Sequence, residues 1–555
     1  MSEHSVPDPE KASESLTEPE LEPKEPESAP GPGPSPPQAE DEIKYPPGKV
    51  VAVVMIAVYL AVFLIALDRI IITTAIPRIT DDFHSLGDVG WYGSAYLLTG
   101  CSFQLFFGRV YTFYSPKLVF LATIAVFEIG SALCGAAPNS TAFIVGRAIA
   151  GMGTAGIFSG TMIIVAGILP LHKRPLHISL VGSIFAVASV AGPLMGGAFT
   201  QNVTWRWCFY INLPIGAATM VIIWLILELP AAKRDKTSLG QKIARLDPLG
   251  TLCFLPGIVC LLLALQWGGT TYAWSSWRIV LLLVLFVVLI CLFVGIQVWK
   301  KESATVPPRI IAKRSVFAGV IYSTCTGGAL ITIVYFVPIW FQAVKGVGAV
   351  ESGIHILPMM AGLVPASILA GALITRTGQY APFMLACTVL ISIGAGLIST
   401  FAVDTPEAKW IGYQFVFGFG LGLGMQQAST AAQAVLSRAD IPTGVSLMFF
   451  GQTLGGSVFL SVAQNIFLNR LTSGLAPLAK TLSPALVVST GATDLRTIVD
   501  PADLPQVLQA YNAALVSAFH VAVAVTSASI IGSSLVEWKN IKKVRAQKAG
   551  PPAAK

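Results

Sequence analysis

Three ionisable side chains stand where the surrounding composition should exclude them. Asp68, Glu128 and Arg147 each interrupt an apolar stretch of the chain. A charged group in a hydrocarbon environment is costly and persists where it pairs, binds or moves charge. Counted along the helical rise, Asp68 lies roughly 12 Å and Arg147 roughly 8 Å below the same membrane face. A carboxylate and a guanidinium at like depth can pair. A rearrangement that parts them lets the carboxyl take up a proton on one side and release it on the other. A static ion pair, or Asp68 paired with its neighbour Arg69, is the structural alternative. Glu128, near the midplane without an evident charged partner, reads equally as a second proton site, a contact for a cationic substrate, or a protonated, hydrogen-bonded carboxyl.

The elements that must position these groups are fourteen apolar stretches. They lie near 50–76, 89–107, 118–136, 142–164, 176–199, 207–228, 248–267, 279–299, 316–341, 353–374, 382–402, 410–435, 442–466 and 512–536. Most run to about 20 residues, which matches a helix across a ~30 Å core, whereas barrel strands need only about ten residues of alternating polarity. With 54% hydrophobic and 12% charged residues and a mean hydropathy of +0.70, the chain reads as an all-α polytopic membrane protein. Such a protein is expected to move something across its bilayer.

Charge is unevenly placed. Residues 1–47 hold 12 acidic and 3 basic side chains with a Pro-rich run, the composition of a disordered tail. They lack the basic start and early apolar run of a signal peptide. The remainder carries +16. If the N-terminus is cytoplasmic, the inner loops hold 16 Lys/Arg, including Lys173, Arg174, Lys233, Arg234, Lys236, Lys300 and Lys301, against five in the short outer loops. That asymmetry predicts both termini in the cytosol, the basic tail 539–555 included. Asn139 and Asn202, each opening an N-x-T sequon, then face outward as glycosylation candidates. The long outer loop 467–511 carries Pro477, Pro484, Pro501 and Pro505 and reads as a surface cap.

Other chemistries find no support. The chain holds no G-x-x-x-x-G-K-[ST]; Gly418, Gly420, Gly422 and Gly424 sit inside an apolar stretch and read as helix packing. The eight cysteines form no C-x-x-C and the six histidines are dispersed, so no metal, nucleophile or other cofactor is expected and no enzyme is implied. Basic residues scattered over many loops argue against nucleic acid. Gly192-Pro193 and Gly196-Gly197 mark either a hinge between bundles or ordinary tight packing, and their spacing favours packing. A faint repeat, Gly108-Arg109-Val110-Tyr111-Thr112 against Gly371-Ala372-Leu373-Ile374-Thr375, ends two stretches eight apart. Two six-helix bundles with one extra helix pair between them account for it.

Four motifs resemble the major facilitator superfamily, specifically its fourteen-helix drug:proton antiporters of fungal type. They are Leu67-Asp68 through Ala75-Ile76-Pro77, Arg147-Ala148-Ile149-Ala150-Gly151-Met152-Gly153, Gly192-Pro193-Leu194-Met195-Gly196-Gly197, and Trp205-Arg206-Trp207-Cys208-Phe209-Tyr210-Ile211-Asn212-Leu213-Pro214. The resemblance covers about residues 48–540. It implies an N-terminal bundle at 48–228, an inserted pair at 246–299 and a C-terminal bundle at 316–538. It also implies a role for Arg147 in proton coupling, which joins Asp68 and Glu128, read above from their burial, as candidate proton-coupling residues. The turn after the second stretch departs from the family: Thr112 and Phe113 stand where an acidic and a basic residue are usual, so the usual charged latch cannot be carried over.

The resulting expectation is a proton-driven exporter of small, mainly apolar organic compounds such as drugs, fungicides or toxic metabolites, monomeric, in the plasma membrane or alternatively the vacuole. Tyr335, Trp340, Gln426, Gln427 and Gln452 are expected to line its cavity. An importer of sugars or iron chelates in the same fold is disfavoured by Gly192-Pro193, and Glu228-Leu229-Pro230-Ala231 stands where a sugar-type loop is usual. A nontransporting sensor would not need a buried Asp68 and Arg147.

Overall fold

The computed structural model describes residues 45–85, 88–228, 246–269, 271–476 and 499–543. The acidic head up to 44, the basic run Lys233–Lys236, most of the outer loop (477–498) and the end of the basic tail lie outside the described residues. Each of the fourteen apolar stretches is helical. In chain order the helices are α1 (Gly48–Phe83), α2 (Val89–Phe113), α3 (Pro116–Gly135), α4 (Ser140–Ile168), α5 (Arg174–Asn202), α6 (Trp207–Tyr210), α7 (Asn212–Ile226), α8 (Pro248–Trp267) and α9 (Trp277–Lys300). They continue as α10 (Pro308–Ile311), α11 (Arg314–Trp340), α12 (Ala349–Ile354), α13 (Leu357–Thr377), α14 (Ala381–Ile398), α15 (Glu407–Gly424), α16 (Gln427–Val435), α17 (Ile441–Leu475) and α18 (Leu504–Leu535). Among the described residues 12 helical segments are long and apolar enough to cross a membrane; α2 and α15 are the apolar stretches outside that set. No strand occurs among them beyond one isolated bridge, Gly268 to Tyr272.

Local sequence sets the helix starts. Proline occupies the first turn of α3, α5, α8, α13, α14, α17 and α18, where its missing N–H removes no helix bond. Asn139 caps α4, its Oδ1 accepting from the Ala142 N–H at 2.9 Å. Several helices outrun their apolar stretch. α1 continues to Phe83 rather than ending near Ile76, and α17 to Leu475, because polar residues at the core's edge do not stop a helix that keeps its backbone bonded.

Helices α1–α7 pack chiefly on one another, as do α11–α18, and the two groups meet along α2/α17 and α5/α13. The α8–α9 hairpin lies over the α2/α17 seam. Trp267 meets Trp91 edge-on at 5.9 Å, Phe254 meets Phe450 at 5.3 Å, and Ser461 Oγ donates to the Leu265 carbonyl at 2.6 Å. α9 covers α8 and buries only Ile279, Phe293 and Gln297.

The Gly-Pro motif serves close packing in this structure. α5 runs unbroken through Pro193. A Cβ on Gly192 would come within 2.8 Å of Ile70 Cγ2, and one on Gly196 would overlap Thr74 Oγ1. These two glycines let α5 close on α1 within one helix group. Gly197 faces open space.

Candidate functional site

Asp68 from α1 and Arg147 from α4 meet in the interior of the first helix group, 0% and 1% exposed. Arg147 Nη1 donates to Asp68 Oδ2 at 2.6 Å and its Nε to the Tyr92 carbonyl at 2.9 Å, while the guanidinium lies 4.4 Å over the Tyr96 ring. Asn212, at the start of α7, donates through Nδ2 to Asp68 Oδ1 at 3.2 Å and to Ser131 Oγ at 3.1 Å. Both oxygens of Asp68 are thus engaged, and the alternative pairing with Arg69 is not the one adopted. In a dry interior such a pair is strong only while both charges are present. A proton on Asp68 removes the attraction and leaves Arg147 with a carbonyl and two ring faces, Tyr96 and, at 5.9 Å, Phe209.

Glu128 on α3 is 7% exposed, and neither carboxyl oxygen accepts a hydrogen bond from the described residues. A neutral carboxyl tolerates that setting and a carboxylate does not. It is packed against Gly216 of α7, where a Cβ would overlap Glu128 Oε1. Toward the end of the fold where α1 finishes, Tyr92 Oη donates to Ser140 Oγ at 3.0 Å and Ser140 donates to Asp88. Polar groups therefore lead from that face toward the buried pair.

At the opposite face, where α1 begins, the two helix groups touch directly. Ser159 Oγ and Ser446 Oγ are 3.0 Å apart, Phe158 and Phe449 are 5.2 Å apart, and Arg438 Nη2 donates to the Gly167 carbonyl at 3.1 Å. A charged junction lies beside them. Arg309 Nη1 and Nη2 donate to the two oxygens of Asp440 at 2.6 and 2.7 Å, its Nε reaches Glu302, and Arg109 of α2 donates to the Glu302 carbonyl at 3.2 Å. Asp247, before α8, accepts from Lys300, Gln297, the Gly250 N–H and both donors of Thr305. Burial opposes its charge, but those donors outweigh it and hold the carboxyl below its usual range.

The expected cavity residues divide. Trp340 is wholly buried, its Nε1 donating to Asn512 Oδ1 at 2.8 Å against the Phe401 ring, so it is a packing residue of the second group rather than a cavity wall. Gln427 is also buried. Gln426, buried as well, lies beside Gly182 of α5 at the meeting of the two groups, Gln452 is partly exposed on α17, and Tyr335 is exposed. Asn139 and Asn202 are exposed at helix ends; Asn202 Nδ2 donates to the Ala198 carbonyl. Sequence reasoning gave no role to Asn212, Ser131, Asp247 or the Arg309–Asp440 pair. Asn212 stood inside a quoted motif, but nothing in its spacing aims it at Asp68.

Residues 58–460 match the family described as Major Facilitator Superfamily. The chain is 51% identical over 515 residues to the MFS-type efflux pump MFS1 of Trichophyton rubrum, covering 93% of this chain and 96% of that one. It is 50% identical over 503 residues to the Rubrofusarin-specific efflux pump aurT of Gibberella zeae, covering 90% and 92%. Among solved structures it is similar to the proton:xylose symporter XylE, at 11% identity with a TM-score of 0.58, covering 90% of this chain and 99% of that one; this likeness concerns the fold alone.

Proposed function

The chain belongs to the Major Facilitator Superfamily, and on that premise we propose that it exports small, mainly apolar organic compounds, toxic secondary metabolites among them, in exchange for protons. It is a membrane transporter and not an enzyme. Export is supported by relatives named as efflux pumps at about half identity over nine-tenths of the chain. Proton exchange is supported by one observation: the buried Asp68–Arg147 pair, whose hold depends on Asp68 remaining charged. Protonation of Asp68 frees Arg147, the first helix group repacks, and the cargo path opens to the other side. Loss of the proton there restores the pair. Glu128 is a second carboxyl in the same helix group through which the proton passes or is held.

The architecture we assign has fourteen crossings. Residues 48–228 and 316–538 form two six-helix bundles, and 246–299 forms an inserted pair over one seam. Both termini are cytoplasmic, so the face where α1 begins is the inner one. Gln426, Gln452 and Tyr335 contribute to the cargo cavity. The protein works as a monomer in the plasma membrane, driven by the proton gradient with no cofactor. Cells expressing the chain should retain less of a fluorescent apolar dye than cells without it, and equal retention would count against export. In sealed vesicles, accumulation at undiminished rate after the pH difference is collapsed would remove the proton exchange.

A further inference from the structure

Arg69 is the charged side chain that the mechanism above does not use. It follows Asp68 on α1, about 100° further round the helix. Of the described side chains between Ala61 and Ala75, only Phe63, Arg69, Ile70 and Thr74 keep partial exposure. Arg69 makes no hydrogen bond, ion pair or ring contact with any described residue; the groups around it are engaged elsewhere. Asp68 is taken at both oxygens by Arg147 and Asn212. The neighbouring Tyr96 already donates to the Ile65 carbonyl and accepts from Thr154 at 2.6 Å. Glu128 sits on α3 against α7.

Five guanidinium donors therefore stand unused in the middle of a 36-residue helix. Asp68 offsets one of the two arginines, and Glu128, the other carboxyl of this helix group, accepts no hydrogen bond from Arg69. An intramembrane arginine that is only partly buried and has no partner among the described residues is the arrangement of a group able to take a ligand of opposite charge. A guanidinium takes a carboxylate or an ionised phenol through paired N–H donors, with directionality that an ammonium lacks. We infer that Arg69 is the charge anchor of the cargo site, and that the cargo it selects is an organic anion: an apolar body bearing one carboxylate or phenolate. The inference rests on the exporter reading and narrows its substrate class.

The test uses the purified full chain in lipid nanodiscs, with 9-anthracenecarboxylate and its neutral methyl ester as fluorescent probes. The wild type should bind the carboxylate at least tenfold more tightly than the ester. Arg69→Gln should lose that preference by weakening the carboxylate at least tenfold while moving the ester less than twofold, and Arg69→Lys should fall between. Equal affinity of the two probes for the wild type, or a parallel change of both in Arg69→Gln, would overturn the inference. If Arg69→Gln does not fold, Arg69→Lys decides alone: a carboxylate-to-ester ratio equal to that of the wild type would overturn it. Export of a neutral dye from cells is read in parallel. Its absence in the wild type removes the exporter reading, whereas a missing carboxylate preference removes only this inference.

Discussion

Replacing Asp68 with asparagine tests the coupling and the packing together. The substitution keeps the size and an acceptor for Arg147 Nη1 at the 2.6 Å position but removes the charge. Arg147, 1% exposed, is left with the Tyr92 carbonyl and two aromatic faces. Breaking a buried pair from one side costs about 3–5 kcal/mol. The retained amide contact places this case at the lower end, about 3 kcal/mol, which is a fall of roughly 6–12 °C in melting midpoint by the scaling for larger domains. Arg147→Gln should cost less, since a carboxyl deprived of its partner can take up a proton and a guanidinium cannot lose one. The double variant should recover most of the loss, because no unpaired charge is left buried. Melting midpoints in detergent rank the three proteins. Flux in sealed proteoliposomes with an imposed pH difference reads the coupling, which both variants carrying Asp68→Asn should lack. An Asp68→Asn protein that accumulates cargo as the wild type does, with the same response to the pH difference, would refute the reasoning.

Three further outcomes follow from the packing. Gly216→Ala should destabilise by about 1–3 kcal/mol because its Cβ overlaps Glu128 Oε1; adding Glu128→Ala should return at least half of that loss in a thermal unfolding series. The half-exposed Arg309 fork on Asp440 should contribute no more than about 1 kcal/mol to the closed face where α1 begins, about fivefold in population. Asp440→Asn should therefore raise the labelling rate of a Ser446→Cys thiol severalfold from that side, the cytoplasmic one in the proposed orientation, and Arg309→Asp with Asp440→Arg should restore the slower rate. Asp247 has its folded-state pKa held below the ordinary 3.8, so its contribution is full above that value and fades as pH falls below it. Asp247→Asn should lose about 1–3 kcal/mol at pH 7, and its melting midpoint should converge with that of the wild type in acid.

The helices were legible because their composition leaves no other option, and the shared depth of Asp68 and Arg147 was legible from helical rise alone. What lay beyond reach depended on side-chain direction. Asn212 follows the break at Ile211 between α6 and α7, and a register counted through apolar runs cannot be carried across it. Trp340 carried the composition of a cavity wall, yet its indole N–H found Asn512 and its ring found Phe401. Gly192 and Pro193 suggested bending, and the helix carries Pro193 without a break while the glycine serves contact with α1. Asp247, Arg309 and Asp440 looked like ordinary loop charges, since only tertiary packing buries Asp247 and brings Arg309 onto Asp440.

The hairpin α8–α9 makes the two flanks of the protein unequal. Trp277 and Trp299 mark its ends, 69% and 73% exposed, and valines and leucines fill the outward face between them. That face is a fence of branched hydrocarbon along the α2/α17 side, fastened at both rims. Under the exporter reading, a compound already dissolved in the acyl chains meets a wall there, and the α5/α13 flank is the seam the hairpin leaves uncovered. Bulky tags fixed along α5 should slow capture of lipid-dissolved cargo while equal tags on α9 leave it alone.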